Sequence, residues 1–571
     1  MMRRSNQPIS GFLKVALLST LLFTLVAQAA DHPPATVLDA MRTELDRSME
    51  KLKSQPVPPY FLSYEITESH NVYVAGTYGE LLNSSDYRQR QLDIDLRVGD
   101  YTMDNTREIR GAGGGANPYA NYSNIAVPVD NDADAIREVL WYHTDERYKH
   151  ALEELTKVKT NNQVKVAQED QSTDFSREEP RQFTEPVVDF QVNRQVWEAK
   201  VRKYTAPFAQ YTKIYRATAM LAASVETRWF VNSEGSRIQT SQPAWRLFVT
   251  AFTKAEDGME LPLYLSYFGF TEKDLPDDTV VLASVQKMIR DLEALRVAPL
   301  TDPYTGPAML SGRASGVFFH EIFGHRVEGH RQKLANESQT FKKKINELVL
   351  PKDFSVTFDP TARHLGGTDL AGFFRYDNQG VEARPVKVVE SGILKTFLMS
   401  RTPIEGIPHS NGHGRKQPGL SPVSRQSNLI VEVAPSSVRP DLKKLLVEEV
   451  KKQGLPFGLY FEDIQGGFTF TGRTTPNAFN VLPLLVYRIY ADGREEMVRG
   501  VDLIGTPLTT FSKIVAADQK VEVFNGICGA ESGGVPVSAV SPGILVSQIE
   551  VQKKQKSQDR LPILPAPFTD K

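Results

Sequence analysis

The sequence predicts an α+β protein, in which a mixed amino-terminal domain is followed by a mainly antiparallel β carboxy-terminal domain carrying a metal-site helix. Three observations lead to this prediction. Helical and strand periodicities interleave irregularly over residues 31–300, unlike the strict alternation of a doubly wound fold. Hairpin signals dominate residues 301–551. Near the start of that second part, histidines and glutamates are embedded in an apolar helical stretch.

Length and composition are those of a globular protein. The 571 residues are enough for two to four domains and a large core. Apolar residues make up 40% and charged residues 24% of the chain, and the formal net charge is −2. This balance does not favour nucleic acid or an anionic membrane as a partner.

Residues 1–30 have the pattern of a secretory signal peptide. Two arginines near the start precede an apolar run at residues 15–26, which is followed by a small-residue cleavage motif ending at Ala29 or Ala30. We therefore expect an exported, periplasmic protein with no membrane span after cleavage. The alternative is a short membrane anchor, although the apolar run is short for a full span.

Periodicity defines the elements of the amino-terminal domain, residues 31–300. Apolar residues recurring every three to four positions predict helices at residues 37–52, 134–159, 187–204 and 280–295. Alternating or β-rich runs predict strands at residues 60–78, 89–106, 220–232 and 236–253. The glycine-rich run at residues 111–117 lacks the Lys-Ser/Thr of a phosphate loop, so we interpret it as a surface loop.

The carboxy-terminal domain, residues 301–551, begins within a proline-rich segment. A short strand and then a helix capped by Ser315 are predicted first. The elements predicted after them are hairpins at residues 386–398 and 486–498, a helix at 439–453 and an alternating strand at 535–551. The charged, proline-containing residues 552–571 predict a disordered tail.

The stretch VFFHEIFGHRVEGH, residues 317–330, contains an HExxxH pattern formed by His320, Glu321 and His325. Buried imidazoles and carboxylates are costly unless they are paired or bind a metal, so the pattern indicates half of a zinc site. In the usual HExxH helix the two histidines lie four apart, whereas positions five apart diverge by roughly 140° on a regular helix. Gly324 is where a turn or helix end would bring the two rings together.

Other readings of these residues stay open from the sequence alone. His325 and Glu328, three apart on one helix face, form a second possible pair, and a buried helix whose polar residues hydrogen-bond the core is a third possibility.

Cys528 is the single cysteine, so it cannot form a disulfide within the chain. It is either an inert core residue or a metal-bound thiol. The loop that carries His409 and His413 favours substrate contact or loop structure over metal binding.

Four motifs in order resemble the TldD/PmbA metalloprotease family. They are HEIFGHRVEGH at residues 320–330, SNGHGR at 410–415, the glycine pair 466–467 within FEDIQGGFTF, and NGICGAESGGVPV at 525–537. The resemblance is clear from about residue 306 to residue 551. It implies an α+β amino-terminal domain and a mainly antiparallel carboxy-terminal domain that holds the metal.

The resemblance also implies site residues and partners. Zn²⁺ is expected on His320, His325 and Cys528, with Glu321 as general base. Companion subunits of the family have lost these residues and form dimers with an active subunit, so this chain resembles the active type, in a homodimer or in a heterodimer with a related subunit. Further candidates for orienting the ligands or contacting substrate are Glu328, His330, His413 and Arg415.

The predicted function is that of a zinc-dependent peptidase. Metal-activated water and a glutamate general base would hydrolyse peptide bonds in unfolded or extended peptides held by strand addition. One alternative is a non-catalytic peptide-binding subunit. Another is an exported metal-dependent amidase that acts on cell-wall or small-molecule amides.

Overall fold

The computed structural model describes residues 36–109, 124–164, 170–334, 337, 339–469, 471–472, 479–505, 510–554 and 561–564. The predicted signal peptide and the glycine-rich run at residues 111–117 lie outside these residues, so both stay predictions. Across the described ranges, no helix combines the length and apolar character needed to cross a membrane. The elements confirm an α+β fold.

Over the described part of the chain, seven strands form the first sheet: β1 (Pro59–Thr77), β2 (Glu80–Val98), β3 (Ile125–Ala126), β4 (Gln182–Thr184), β5 (Ile214–Asn232), β6 (Arg237–Lys254) and β7 (Glu260–Gly269). Their order is β3-β2-β1-β5-β6-β4, and β7 also pairs with β6. All pairs except β4–β6 are antiparallel. The long strands come in hairpins, which gives the sheet mostly local connections.

The helices of the described residues are α1 (Val37–Leu52), α2 (Ala133–Val164), α3 (Arg194–Thr205), α4 (Asp278–Val297), α5 (Gly312–Ile322), α6 (His330–Lys333) and α7 (Leu442–Lys452). The first four pack on the strands of the first sheet. A capping box between Thr36 and Asp39 starts α1. These helices bury apolar stripes against the sheet, as their periodicity predicts.

Local turn chemistry shifts two predicted elements. The strand predicted at residues 89–106 is β2. It starts earlier because Tyr78 and Gly79 both take positive φ in a two-residue hairpin turn, and it ends at Val98 instead of residue 106, because Gly99 takes positive φ and turns the chain. The helix predicted at residues 187–204 begins only at Arg194, where the side chain of Asn193 accepts a hydrogen bond from the Val196 amide.

The second sheet is mixed and mainly antiparallel, as predicted. Its eleven strands among the described residues are β8 (Tyr304–Leu310), β9 (Phe354–Phe358), β12 (Val386–Glu390), β13 (Ile393–Leu394), β16 (Asn428–Val433), β17 (Phe457–Thr469), β18 (Phe479–Tyr490), β19 (Glu495–Val498), β20 (Val501–Gly505), β21 (Ile514–Ala530) and β22 (Gly533–Lys553). Only β16–β22 and β8–β17 are parallel pairs within it. Two small hairpins complete the described strands, β10 (His364–Leu365) with β11 (Thr368–Asp369) and β14 (Gly414–Arg415) with β15 (Val423–Ser424).

Helix α5 packs against this second sheet, and all its residues are buried except the half-buried Arg313. The cap predicted at Ser315 is wrong, because the helix begins one turn earlier, where the hydroxyl of Ser311 accepts a hydrogen bond from the Ala314 amide. Ser315 lies inside the helix, and its hydroxyl is 2.8 Å from that of Ser541. Apolar residues lie on most sides of α5, which places the helix in the core. Its few polar residues, among them His320 and Glu321, are therefore carried into the protein interior.

The two sheets share buried contacts. Leu484 and Leu485 of β18 join the apolar core of the first sheet. The buried Lys416 ammonium lies 2.8 Å from the Glu65 carboxylate and also bonds Asp93. The division of the chain at residue 300 stays a prediction. The last strand includes residues 552–553, which the sequence assigned to the tail, because they pair with β20.

Candidate metal centre

Three residues that are distant in sequence meet at the end of α5. His320 lies in the last turn of the helix, His325 lies in the 3₁₀ turn Gly324–Val327 that follows, and Cys528 lies on β21. One donor atom from each side chain lies within 4.8 Å of the others, and all three residues are buried. Because the helix ends between the two histidines, the five-residue spacing does not separate their rings.

The turn leaves no space for a side chain at Gly324. A Cβ atom there would lie 2.0 Å from Oε1 of Gln426, so the Gln426 side chain would have to move. Gln426 is itself fully buried, and its amide donates to the carbonyl oxygen of His320 at 3.3 Å. The absence of a side chain at Gly324 thus lets Gln426 tie the helix end to the turn.

The donor set fits a zinc ion. Two imidazoles and a thiol are zinc ligands, and bond lengths of 2.0–2.3 Å place two donors of one tetrahedral ion about 3.5 Å apart. The sulfur of Cys528 lies 3.4 Å from Nε2 of His325. The rings of His320 and His325 are 5.2 Å apart at an interplanar angle of 78°. Three protein donors leave room for a fourth ligand, which is the pattern of a catalytic site.

The charges of these groups support one another. Burial opposes ionisation of Cys528, but the adjacent His325 and His320 lower the pKa of the thiol well below its ordinary value. Burial likewise opposes protonation of His325, and the neighbouring Cys528 and Glu328 outweigh it and raise the pKa of the imidazole. A thiolate is the form of cysteine that binds metal.

Glu328 fixes the orientation of His325. Its Oε2 lies 3.2 Å from Nδ1 of the imidazole and accepts a hydrogen bond from Nε of Arg331 at 2.8 Å. Despite complete burial, the facing His325 and Arg331 hold the pKa of Glu328 at about 2. The pairing of His325 with Glu328 considered from the sequence therefore exists as a hydrogen bond, which leaves Nε2 free to act as the donor toward a metal.

A second carboxylate extends this network. Glu531 accepts a hydrogen bond from Arg331 at 2.8 Å and bonds the ring of His330. His330 thus joins the hydrogen-bond network that contains Arg331 and Glu328, and its role in orienting the ligands or contacting substrate stays a prediction. Arg425 lies behind the same network, donating to the carbonyl oxygen of Cys528 at 2.6 Å.

Glu321 faces the cavity beside the donors. Its Oε2 lies 4.0 Å from Nε2 of His325. The backbone of Gly467 passes close by, since a Cβ atom there would come within 2.9 Å of the Glu321 side chain. Gly467, the second glycine of the pair noted in the sequence, therefore leaves space for this carboxylate.

The cavity measures about 820 Å³ and lies between the two sheets. Its walls come from β5, β6 and β7 of the first sheet, from β17, β21 and β22 of the second, and from α5. The donors, Glu321, Arg331 and Glu531 are among its lining residues.

Two predicted candidates lie elsewhere. His413 is fully buried, with Nε2 3.2 Å from the Ser427 hydroxyl, and Arg415 donates to the carbonyl oxygen of Gln426 at 2.6 Å. Neither lines the cavity, so a substrate contact for either stays a prediction. His409 is exposed, 3.5 Å from Glu178.

Sequence reasoning missed several residues of the site: Gln426, Arg331, Glu531 and Arg425. Glu531 carries a usable signal, because it stands three residues after Cys528 in the quoted NGICGAES motif. Arg331 directly follows the HEIFGHRVEGH motif, whereas Gln426 and Arg425 come close to the donors only through tertiary contacts.

Comparison with known proteins gives one family match, to the PmbA/TldA metallopeptidase C-terminal domain at residues 303–553. A metalloprotease of Archaeoglobus fulgidus is 30% identical over 237 residues, 42% of this chain and 51% of the relative. A zinc metalloprotease TldD homolog of Saccharolobus solfataricus is 26% identical over 282 residues, 49% of this chain and 58% of the relative. The chain thus spans little more than half the length of these curated relatives.

A solved structure extends the likeness to the fold. TldE from Thermococcus kodakarensis superposes with a TM-score of 0.57, covering 90% of this chain and 100% of that chain at 12% identity. At this identity the likeness concerns the architecture alone. It includes the first sheet, which the family match at residues 303–553 does not reach.

Proposed function

Because this chain belongs, through residues 303–553, to the TldD/PmbA family of metallopeptidases, we propose that it is a zinc-dependent peptidase. We assign His320, His325 and Cys528 as the zinc ligands and Glu321 as the general base. The observation that carries the proposal is the convergence of these three buried donors within 4.8 Å at the wall of a cavity that the Glu321 carboxylate also faces.

The residues of the chain have separate roles in hydrolysis. Zinc supplies the Lewis acidity that polarises a peptide carbonyl and makes water easier to deprotonate. Glu321 takes a proton from the attacking water and returns it to the leaving amine. Glu328 holds the His325 ring by its Nδ1 atom. Burial of the site keeps bulk water from competing with these contacts.

The cavity suits an extended peptide. Among the described residues, β22 is the one strand that pairs with residues 524–530 of β21, and the other edge of this stretch lies along the cavity. An extended chain bound by main-chain hydrogen bonds at such an edge would be selected by conformation more than by side chain. We therefore propose unfolded or extended peptides as substrates. Preferential cleavage of compact folded proteins would contradict this.

Export and dimerisation are also proposals. Export rests on the signal-peptide pattern of residues 1–30, and detection of a mature chain starting near Ala30 in a periplasmic fraction would test it. A homodimer or a heterodimer with a related subunit rests on the family resemblance, and sedimentation of the purified chain with and without such a subunit would test it. An amidase acting on cell-wall amides would instead hydrolyse muropeptides in preference to a peptide library.

The metal content of the purified protein tests the central proposal. We expect about one zinc ion per chain by mass spectrometry, lost in Cys528→Ser together with hydrolysis of an unfolded peptide. His409→Gln is the matched control, because it removes an exposed histidine outside the cavity. A folded wild-type protein that takes up no zinc would refute the assignment.

A further inference from the structure

The first sheet contributes a cation to the cavity. Arg246, on β6, lines the same space as the donors and Glu321. We propose that Arg246 binds a carboxylate group of the peptide substrate, two or three residues away from the bond that is cleaved. This inference rests on the proposed peptidase function and adds a selectivity for anionic substrates.

The guanidinium of Arg246 is held in place without a counter-ion. Its Nη1 donates to the carbonyl oxygen of Asn525 at 2.8 Å, and its Cζ lies 5.0 Å from the centre of the Phe268 ring. Within the described ranges, no carboxylate lies at ion-pair distance from it. Arg331, another arginine that lines the cavity, bonds three carboxylates, those of Glu328, Glu337 and Glu531.

Burial acts on this unpaired charge. It lowers the pKa of Arg246 to about 10, so the side chain remains a cation at neutral pH. A cation partly removed from water without a counter-ion is destabilised, and a bound anion would relieve that cost. One Nη1 contact leaves other donors of the planar guanidinium for a carboxylate, which it binds through two parallel hydrogen bonds.

The spacing of residues along β21 gives the distance between Arg246 and the donors. Asn525, which anchors Arg246, and Cys528, which belongs to the metal site, are three residues apart in a stretch that pairs with β22 without a bulge. At about 3.3 Å per residue, these positions are separated by about 10 Å along the strand. An extended peptide advances about 3.5 Å per residue, so a carboxylate at Arg246 lies two or three residues from a carbonyl at the donors.

Two sources could supply this carboxylate. A free C-terminal carboxylate would make the enzyme release dipeptides or tripeptides from the ends of chains. An aspartate or glutamate side chain would direct cleavage to internal bonds two or three residues from the acidic position. Both sources have the same chemistry, and the substrates chosen for the test separate them.

The test compares three series of otherwise identical unfolded peptides: free acids, C-terminal amides, and amides with one glutamate at a varied position. Hydrolysis is measured with the full-length mature protein and with Arg246→Gln, Arg246→Lys and Arg290→Gln. Arg290 is the matched control, because it is an exposed arginine of α4 that does not line this cavity. Zinc content and thermal unfolding are recorded for each variant.

We expect Arg246→Gln to raise KM by about 10- to 100-fold for the series whose carboxylate is recognised, while the neutral amides change little. The KM of Arg246→Lys should lie between those of the wild type and Arg246→Gln, because lysine keeps the charge and loses the planar guanidinium. Arg290→Gln should match wild type. Preference for free acids identifies the C-terminus as the source, and preference for the glutamate series identifies a side chain.

Two results would overturn the inference. One is equal use of acids and neutral amides by the wild-type protein. The other is an equal loss on all series in Arg246→Gln, which would indicate a structural role for the bond to Asn525. A binding experiment separates failure of this inference from failure of the proposed function. In it, the binding of the same peptides to zinc-loaded Glu321→Gln is measured by fluorescence anisotropy. A wild type that hydrolyses no peptide, while the Glu321→Gln protein still prefers acids through Arg246, would refute only the peptidase.

Discussion

The buried carboxylate of Glu328 lies 3.2 Å from Nδ1 of His325, while Nε2 of the same ring lies 3.4 Å from the Cys528 sulfur. The imidazole is therefore held between a carboxylate on one side and a metal donor on the other. Such a carboxylate–histidine pair fixes the orientation of the ring and increases its basicity.

Glu328→Gln should weaken metal binding without removing a donor. We expect an affinity loss of about 10- to 100-fold, measured by competition with a chromophoric chelator. Glu347→Gln is the control, because the Glu347 side chain is exposed and its carboxylate accepts a hydrogen bond from Lys344, away from the donors. Unchanged zinc affinity in Glu328→Gln would show that the hydrogen bond does not tune the ligand.

Glu321→Gln should separate metal binding from catalysis. The amide keeps the shape of the side chain but cannot accept the proton of the attacking water, so kcat should fall by at least about 100-fold while zinc stays bound. Zinc content and peptide hydrolysis are measured on the same preparation. A variant that retains turnover would remove Glu321 from the mechanism.

Gly324→Ala should disrupt the turn that presents His325. Its new Cβ would overlap the amide of the buried Gln426, so we expect a lower melting temperature and loss of zinc. The double variant Gly324→Ala, Gln426→Ala restores space at the turn, and it should recover part of the melting temperature and part of the zinc content. Gly529→Ala is the stability control, since a Cβ atom there meets nothing within 4 Å. Full zinc occupancy in Gly324→Ala would contradict the argument.

His413 should make stability fall in acid. Burial lowers its pKa from the ordinary 6.5 to about 3, so the unfolded chain binds a proton that the folded chain does not bind between those pH values. The free energy of unfolding should therefore decrease by about 1.4 kcal/mol for each pH unit below 6.5 through this residue.

Urea unfolding of the wild type and His413→Gln between pH 7 and pH 4 measures that slope. The variant should be less stable at pH 7, because it loses the bond to Ser427, but its stability should depend less on pH. His409→Gln should keep the wild-type slope, since His409 is exposed. Equal slopes in all three proteins would contradict the prediction.

The sequence predicts elements better than it predicts their ends. Helix α1 and the hairpin formed by β12 and β13 lie where periodicity and turn residues place them. The cap at Ser315 was wrong, because Ser311 and Ser315 are four apart and both suit an N-cap, and only the packing against β17 and β22 selects the earlier one. Strand β7 was not predicted at all.

The candidate metal donors also differ in how far the sequence predicts them. His320 and His325 are visible in one motif, but their five-residue spacing is resolved only by a helix end that the sequence does not fix. Cys528 entered through resemblance, because no local rule connects it to residues about two hundred positions away. Arg246 was not predicted, since its contact with Asn525 spans 279 residues and two sheets.

Because the cavity lies between the sheets, the residues proposed for catalysis and the residue proposed for substrate selectivity come from different sheets. The donors and Glu321 lie within the matched residues 303–553, whereas Arg246 and the other residues of β6 and β7 that face them lie outside that match. For the proposed peptidase, we therefore expect substitutions in the first sheet to change which peptides are accepted while the cleavage chemistry stays intact. In an engineering setting, this makes β6 and β7 the strands to randomise for new selectivity.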